Sequence, residues 1–346
     1  MYLTAFIVDQ SPLQAGPWWL AGGNAQTIWP ALYAQRFEGP TPAYRRERWS
    51  TPDEDFIDVD WLVEDKTLPE DRPLLVLFHG LEGSSLSHYA QAFAWVARES
   101  GWDFAVPHFR GCSGELNWRP RAYHSGDHEE VHWILQRFRE LAGTRRVMAV
   151  GVSLGGNALM RWAGEWGQLA KATVDAIASV SAPLDLAAAG AAIDTGFNRW
   201  VYAKMFLRTM VRKAQDKWQQ FPGLFDLAKA TQASTLFEFD DVFTGPLHGF
   251  KGTVDYWHQA SAKALLHDVR VPALVLNATN DPFVPGGSLP TRQEVSRSVT
   301  LWQPRHGGHV GFAAPMPGGL GLPGQVWGMP QAVARWLAGA AGATHG

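Results

Sequence analysis

The chain has 346 residues, 46% of them hydrophobic and 18% charged, so it can bury the core of one large α/β domain or two small ones. Its net charge of −3 gives no indication of binding to nucleic acid or to an anionic membrane. The absence of any apolar run of about 18 residues excludes stable membrane insertion. The single cysteine, Cys112, excludes an intrachain disulfide and, with no leader-like pattern in residues 1–10, favours a cytoplasmic location.

Residues 1–43 are expected to form an irregular N-terminal arm, because residues 11–43 are rich in proline, glycine and tryptophan. One short helix is predicted around Ala25–Tyr33. Two strands follow at Tyr44–Ser50 and Phe56–Val63, and in the second strand apolar side chains alternate with others that are mostly acidic. The turn between these strands predicts an antiparallel hairpin.

From residue 73 onward, buried strands alternate with helices. This rhythm indicates a mostly parallel sheet with helices on both faces, which the hairpin extends to eight strands. The predicted strands are Leu74–Phe78, Phe104–Val106, Val147–Val152, Ala176–Val180, Ala273–Leu276 and Val299–Trp302. The predicted helices are His88–Glu99, Asp127–Ala142, Asn157–Trp166 and Gln331–Ala338. Residues 341–346 are expected to be a flexible tail.

The stretch 183–267 interrupts this rhythm, since it is too long for a loop and lacks the alternation of a strand. We expect a helical cap insertion over the carboxyl edge of the sheet, which divides the core into residues 44–182 and 268–340. Its aromatic side chains suit either the wall of an apolar substrate pocket or plain helical packing. These residues are Phe197, Trp200, Tyr202, Phe206, Phe237, Phe239, Phe243, Tyr256 and Trp257.

A serine motif lies where one of the predicted strands passes into a helix. The run Val147–Val152 leads into the G-x-S-x-G pentapeptide Gly151–Gly155, and the helix Asn157–Trp166 follows. In this context the pattern predicts a tight turn that lifts Ser153 above the carboxyl edge of the sheet as a nucleophile. The alternative is a chance match, which should occur in roughly one chain in six.

A serine hydroxyl needs a base within hydrogen-bond reach and a carboxylate that orients the base. Asp281 follows the predicted strand Ala273–Leu276 closely, although an Asp before a proline is also a common turn residue. Two histidines, His306 and His309, follow the next strand and are both candidates for the base. The chain therefore presents the order Ser, Asp, His, which one large group of hydrolases uses.

An oxyanion hole needs two backbone N–H groups that point at the developing negative charge. One is expected from Leu154, the residue after the candidate nucleophile. The other is expected from Leu81, because His79-Gly80-Leu81 directly follows the strand Leu74–Phe78. An ordinary strand-to-helix turn is the alternative interpretation of the His79-Gly80 pair.

A metal-binding alternative comes from the run His128–His132, which has the pattern H-E-x-x-H on a predicted helix. Zincins use this spacing to bring two imidazoles and a glutamate to one metal ion, and chance should produce it in only about one chain in fifty. The apolar stripe of the helix lies elsewhere, so His132 is expected to face solvent, and no third ligand follows at a suitable spacing. A solvated His/Glu face without a metal is the prediction that we favour.

With these residues placed, the chain resembles the α/β-hydrolase superfamily, and specifically its YheT-like branch, which also holds eukaryotic lipases and yeast medium-chain ester synthases. The matching sequence motifs span about residues 17 to 315. They are Asn24–Pro30, His79–Ser85, Phe109–Glu115, Tyr123–Gly126, Gly151–Asn157 and His306–Phe312.

The resemblance implies a serine carboxylesterase with the α/β-hydrolase fold and the triad Ser153, Asp281 and His309. It favours His309 over His306 as the base, because family members place the base before Gly-Phe-like residues. It also implies a small-molecule ester with a short to medium acyl chain as substrate, and no metal or organic cofactor. Two alternatives stay open: acyl transfer to an alcohol through the same triad, and a non-catalytic binding protein with this fold.

Overall fold

The computed structural model describes residue 13 and residues 16–63, 69–316 and 322–343. Parts of two predicted segments therefore lie outside the described residues. They are most of the first 15 residues of the N-terminal arm and residues 344–346 of the tail.

Within the described residues, eight strands form one sheet in the order β1-β2-β4-β3-β5-β6-β7-β8. Strands β1 and β2 form an antiparallel hairpin, β2 pairs antiparallel with β4, and the remaining pairs are parallel. The strands are β1 Tyr44–Ser50, β2 Phe56–Leu62, β3 Leu74–Phe78, β4 Asp103–Pro107, β5 Val147–Val152, β6 Ala176–Val180, β7 Ala273–Leu276 and β8 Val299–Trp302. The predicted mostly parallel, eight-stranded sheet is confirmed.

Helices cover both faces of this sheet. They are α1 Gly22–Leu32, α2 His88–Glu99, α3 His128–Ala142, α4 Leu154–Trp166, α5 Leu186–Ile193, α6 Gly196–Asn198, α7 Lys204–Gln220, α8 Leu227–Gln232, α9 Leu236–Phe239, α10 Gly245–Leu247, α11 Thr253–Ala260 and α12 Gly328–Ala343. Alternate side chains of β3 enter different clusters: Val76 packs with α3 and α4, whereas Leu75 packs with α2 and α12. This alternation is what a strand buried on both faces requires.

The segment 183–267, which is described throughout, holds helices α5 to α11 and no strand. A π-helical turn, Arg199–Ala203, joins α6 to α7, so the chain runs as one continuous helical stretch from Gly196 to Gln220. The segment has its own apolar cluster, which includes Phe239 and Trp257. No described helix combines the length and apolar character needed to cross a bilayer.

Several helix boundaries differ from the predictions by one to five residues, and two of these differences have a clear structural reason. Helix α12 ends at Ala343, inside the stretch expected to be flexible, because Ala341 packs into the core and outweighs the low helix propensity of the neighbouring glycines. Helix α4 begins at Leu154 and not at Asn157. Its first turn contains Gly155 and Gly156, whose missing side chains let the helix lie directly against the sheet.

Candidate active site

Ser153 lies on a sharp turn between β5 and α4. Its backbone is left-handed, with φ 53° and ψ −120°, a conformation that a residue with a side chain rarely adopts. Glycines stand two residues before and two residues after Ser153, where a side chain has no room. A Cβ on Gly155 would lie 2.5 Å from the carbonyl oxygens of Phe78 and His79. On Gly151, a Cβ would lie 2.3 Å from the Gly155 oxygen. The strain and the close approach both match the predicted nucleophile turn.

The His309 imidazole lies between Ser153 and Asp281. Its Nε2 is 2.9 Å from Ser153 Oγ, and its Nδ1 is 2.9 Å from Asp281 Oδ2. His309 and Asp281 are both buried, whereas His306 is exposed. The structure therefore brings together the three side chains that we predicted, and it leaves His306 outside this arrangement.

Asp281 is held in its orientation by the backbone of its own loop. Its Oδ1 accepts hydrogen bonds from the N–H groups of Phe283 and Val284, at 2.8 and 3.2 Å, which leaves Oδ2 for the imidazole. The ring of Phe283 packs on His309 with 4.3 Å between the ring centroids. One turn therefore orients the carboxylate and covers the imidazole.

The loop after β3 lies against the serine turn. A Cβ on Gly80 would lie 3.1 Å from the Ser153 Cβ, and the Gly80 N–H donates to the Tyr89 hydroxyl at 2.8 Å. His79 Nε2 accepts from the Phe109 N–H, so Nδ1 carries the proton and donates to the Gly80 carbonyl at 2.8 Å. Burial lowers the pKa of His79 to about 3, so this ring stays neutral.

These contacts determine the direction of the next N–H group. In a trans peptide the carbonyl and the N–H point in opposite directions, so fixing the Gly80 carbonyl also fixes the Leu81 N–H. Within residues 69–316, the N–H groups of Leu81 and Leu154 donate to no protein acceptor. Both N–H groups are thus available to a ligand beside Ser153, as the oxyanion-hole prediction requires.

Helix α1 of the N-terminal arm holds the loops of Asp281 and His309, a function that sequence reasoning missed. Gln26 Oε1 accepts from the Gly307 N–H and from Asn280 Nδ2, both at 2.9 Å. Thr27 Oγ1 accepts from the backbone N–H of His309 at 2.9 Å. Gln26 and Thr27 are both buried. Their side-chain oxygens therefore provide the acceptors that water would provide for the same N–H groups at an exposed site.

The fit between α1 and the two loops leaves no room for additional side chains. A Cβ on Gly311 would lie 1.7 Å from the Gln26 carbonyl oxygen, and one on Gly23 would lie 1.9 Å from the Asn280 carbonyl oxygen. Gly308, at φ +58°, also has no room for a Cβ against α1. The glycines of the histidine loop therefore permit close contact with the arm, in addition to a sharp turn.

The family described as alpha/beta hydrolase fold matches residues 73–313, well over half of the chain, and this range contains all three converging side chains. The chain belongs to the α/β-hydrolase family. The predicted fold class and family resemblance are both confirmed.

Individual relatives of this hydrolase agree with the family match. YheT of Escherichia coli, named as a candidate esterase, is 37% identical over 316 residues, which cover 91% of this chain and 89% of YheT. The human phospholipase ABHD3 is 27% identical over 317 residues, which cover 89% of this chain and 76% of that protein. A solved esterase of Pyrococcus furiosus shares the fold, with a TM-score of 0.50 at 13% identity over 90% of this chain and 97% of its own.

A mostly apolar cavity opens beside Ser153 in the hydrolase and extends into the segment 183–267. Five of the aromatic side chains that we considered for such a wall line it, and they are Phe206, Phe239, Phe243, Tyr256 and Trp257. Three others, Phe197, Trp200 and Phe237, are exposed on the outside. The ninth, Tyr202, is buried against Phe283 and lines no part of this cavity.

Asp240 is one of two carboxylates in the wall of this cavity, and Glu82 is the other. The Asp240 oxygens accept from the Thr244 hydroxyl at 2.6 Å and from the Trp257 indole N–H at 2.9 Å. Burial raises the pKa of Asp240 to about 6, because the charged form loses its hydration. A Cβ on Gly190 would lie 2.2 Å from the Trp257 ring, so the glycine makes room for this indole.

The H-E-x-x-H run does not form a metal site. His132 packs on α4, where its Nδ1 and Nε2 lie 3.1 and 3.0 Å from the indole nitrogens of Trp162 and Trp166. A neutral imidazole has one acceptor nitrogen, and a tryptophan N–H already competes for it. The expectation that His132 faces solvent was wrong, and within the described ranges no group of three His, Cys, Asp or Glu side chains could hold a metal ion.

The motifs at residues 109–126 connect elements around the cavity. Buried Arg110 forms ion pairs with Asp53, Asp55 and Glu130, and so ties the hairpin turn to α3. Asn157 of α4 donates to the carbonyl and hydroxyl oxygens of Ser125. These residues stabilise the surroundings of Ser153 and do not contact its hydroxyl.

Proposed function

We propose that this protein is a serine carboxylesterase that hydrolyses esters with short to medium acyl chains. The observation that carries the proposal is the His309 ring, with its two nitrogens 2.9 Å from Ser153 Oγ and 2.9 Å from Asp281 Oδ2. The names of two relatives, a candidate esterase and a phospholipase, favour a carboxylic ester as the substrate.

In the proposed acylation step, Ser153 Oγ attacks the ester carbonyl carbon while His309 Nε2 takes the hydroxyl proton. Asp281 keeps the proton of the neutral imidazole on Nδ1 and stabilises the imidazolium that forms. The N–H groups of Leu81 and Leu154 stabilise the negative charge on the former carbonyl oxygen. His309 then gives its proton to the leaving alcohol, and the acyl group remains on Ser153.

In the proposed deacylation step, water takes the place of the alcohol. His309 removes a proton from this water as it attacks the acyl carbon, and the same proton returns to Ser153 Oγ when the acid leaves. Each step breaks one C–O bond and forms another, and the proton moves through one imidazole. The mechanism needs no metal ion or organic cofactor.

The acyl chain is assigned to the apolar cavity under the segment 183–267, which we propose acts as the cap. The lining side chains Phe206, Phe239 and Phe243 favour an aliphatic chain over a charged one. A cytoplasmic location is part of the proposal, because a chain with the single cysteine Cys112 suits a reducing compartment.

The test compares Ser153→Ala with the wild type and with Ser298→Ala, a control at the opposite end of the sheet whose hydroxyl binds the Arg270 carbonyl. With p-nitrophenyl butyrate, Ser153→Ala should lower kcat on the order of 10³-fold or more, with unchanged circular dichroism. A fluorophosphonate should label the wild type and the control only. Normal turnover by Ser153→Ala would refute the proposal, and failure of the wild type to react with either reagent would favour a binding protein.

A second arm of the experiment separates hydrolysis from acyl transfer. Both reactions use the same acyl-enzyme, so only the acceptor differs. Ethanol is added to the assay, and the ethyl ester and the free acid are quantified by gas chromatography. We expect acid to dominate at low ethanol concentration, and a predominance of ethyl ester there would identify the protein as an acyltransferase.

A further inference from the structure

The helical stretch Gly196–Gln220 has two faces of different character. Its inner face lines the cavity beside Ser153 through Phe206, Met210, Lys213 and Lys217, which recur at spacings of three and four residues. Its opposite side is exposed to solvent. We define the outer face as Phe197, Trp200, Val201, Lys204, Met205, Arg208 and Arg212, which follow the same spacing and are all exposed.

The outer face combines large apolar side chains with cations. Trp200 is 74% exposed, Met205 is 55% exposed and Phe197 is 53% exposed. Lys204, Arg208 and Arg212 follow at intervals of four residues along the same side. Between Asp194 and Asp216 the sequence has five basic residues and no acidic one, although the whole chain has a net charge of −3.

We propose that the outer face docks this protein peripherally onto an anionic lipid surface. A helix that lies in a membrane interface places apolar and tryptophan side chains among the acyl chains and its lysines and arginines among the headgroups. The outer face presents both kinds of side chain on one side. The net charge of the chain does not reveal this local positive charge, because most acidic residues lie in other parts of the sequence.

A second copy of the chain would fit the outer face less well. A symmetric dimer through this face would bring Lys204, Arg208 and Arg212 of both copies together. Along the stretch Gly196–Gln220 only one carboxylate per copy, the exposed Asp216 beyond Arg212, could offset them. An anionic lipid surface compensates these charges and also accepts Trp200 and Met205. The combination of charge and apolar area therefore favours lipid over self-association.

The outer face lies on the same helical stretch that lines the cavity beside Ser153, so docking would affect the cavity wall. The same helical stretch forms one wall of the cavity, so a docked molecule would hold this wall against the lipid. At the beginning of the stretch, Asn198 Nδ2 donates to the Pro282 carbonyl at 2.7 Å, and Tyr202 packs on Phe283. These contacts join the helical stretch that carries the outer face to the loop that carries Asp281.

The test is flotation of the full chain with vesicles of ether-linked lipids, which a carboxylesterase cannot hydrolyse. One vesicle type is phosphatidylcholine alone, and the other is an equimolar mixture with phosphatidylglycerol. The wild type should float with the mixed vesicles, and added salt should weaken binding, because salt screens the attraction. The readout is independent of catalysis, so this proposal and the proposed esterase activity can fail separately.

Two matched variants connect binding with the outer face. The triple variant Lys204→Gln, Arg208→Gln, Arg212→Gln should bind mixed vesicles roughly a hundredfold more weakly, at about fivefold for each cation near the surface. A control with the same change in composition, Lys171→Gln, Arg297→Gln, Arg335→Gln, replaces exposed cations of the core and should bind like the wild type.

The apolar part is tested separately by Met205→Ser. This variant should weaken binding, whereas Leu169→Ser, at a residue 71% exposed on the core, should not. Absence of wild-type flotation with mixed vesicles, or equal binding by the two triple variants, would overturn the proposal. Light scattering that shows a dimer in the wild type and a monomer in the outer-face variant would overturn it in favour of self-association.

Discussion

Replacement of Thr27 by valine tests whether the N-terminal arm positions the proposed catalytic base. Valine has nearly the shape of threonine and lacks its hydroxyl. That hydroxyl accepts from the His309 backbone N–H at 2.9 Å and donates to the Gly23 carbonyl at 2.7 Å. The Gly23 carbonyl also has its helical partner four residues on, so the variant leaves only the His309 N–H without an acceptor.

The expected magnitude follows from the burial of this contact. Thr27 is 8% exposed, and a buried N–H without an acceptor costs about 1–3 kcal/mol of unfolding free energy. The loop can recover part of this cost by moving its N–H toward water, and the imidazole moves with it. Since a displacement of about 1 Å can cost 10²-fold in rate, we expect kcat to fall about tenfold to a hundredfold. Thr27 does not line the cavity, so KM should change little.

The assay measures kcat and KM with p-nitrophenyl butyrate, together with urea unfolding. Thr27→Ser keeps the hydroxyl and should restore most of kcat. Thr231→Val is the matched control, because Thr231 makes the same local bond to a helical carbonyl four residues earlier but has no bond to the loop of His309. A Thr27→Val protein that is less stable but has wild-type kcat would show that the hydroxyl contributes only to packing.

Two further predictions concern the oxyanion loop and the cavity wall. Tyr89→Phe removes the acceptor of the Gly80 N–H and leaves the His79 bond to the Gly80 carbonyl as the remaining hydrogen bond of Gly80. The Leu81 N–H should then be held less firmly, with kcat about tenfold lower and a smaller change in KM; unchanged kcat would contradict this role. Asp240 has its pKa raised from 3.8 to about 6, so the stability that its protonated form provides is complete below pH 3.8 and lost as pH rises through about 6. Asp240→Asn does not ionise and so avoids this loss. Its unfolding free energy relative to that of the wild type should therefore increase by up to about 3 kcal/mol between pH 4 and pH 8. A difference in unfolding free energy that does not change with pH would refute the reasoning.

The convergence of Ser153, Asp281 and His309 is predictable because each follows a strand with a clear apolar run. Strands β5, β7 and β8 have the bounds that the sequence predicts. Parallel strands end at one edge of a sheet, so residues just after them lie near one another. The choice between His306 and His309 needs more than this rule, because both follow β8, and there the family resemblance decided.

The orientation of His132 shows where periodicity fails. An apolar stripe identifies the side of α3 that meets the sheet, and it leaves the rest of the helix for solvent or for a neighbouring helix. Trp162 and Trp166 of α4 lie beside His132 and offer their indole N–H groups to it. Only the packing of α3 against α4 establishes this contact, and the sequence of either helix alone does not contain it.

The loop of His309 shows a second limit of prediction from sequence. Its sequence indicates that the loop requires support from other segments, but it does not identify those segments. Glycines at positions 307, 308 and 311 leave few local side chains to hold His309, and a proposed catalytic base must be held accurately. Its anchors must therefore come from elsewhere, and Gln26 and Thr27 supply them from more than 280 residues away. Helix propensity and periodicity report only local neighbours, so they predict helix α1 and cannot predict its partners. A rigid base on a glycine-rich loop is thus a reason to search distant segments for buried hydrogen-bond acceptors.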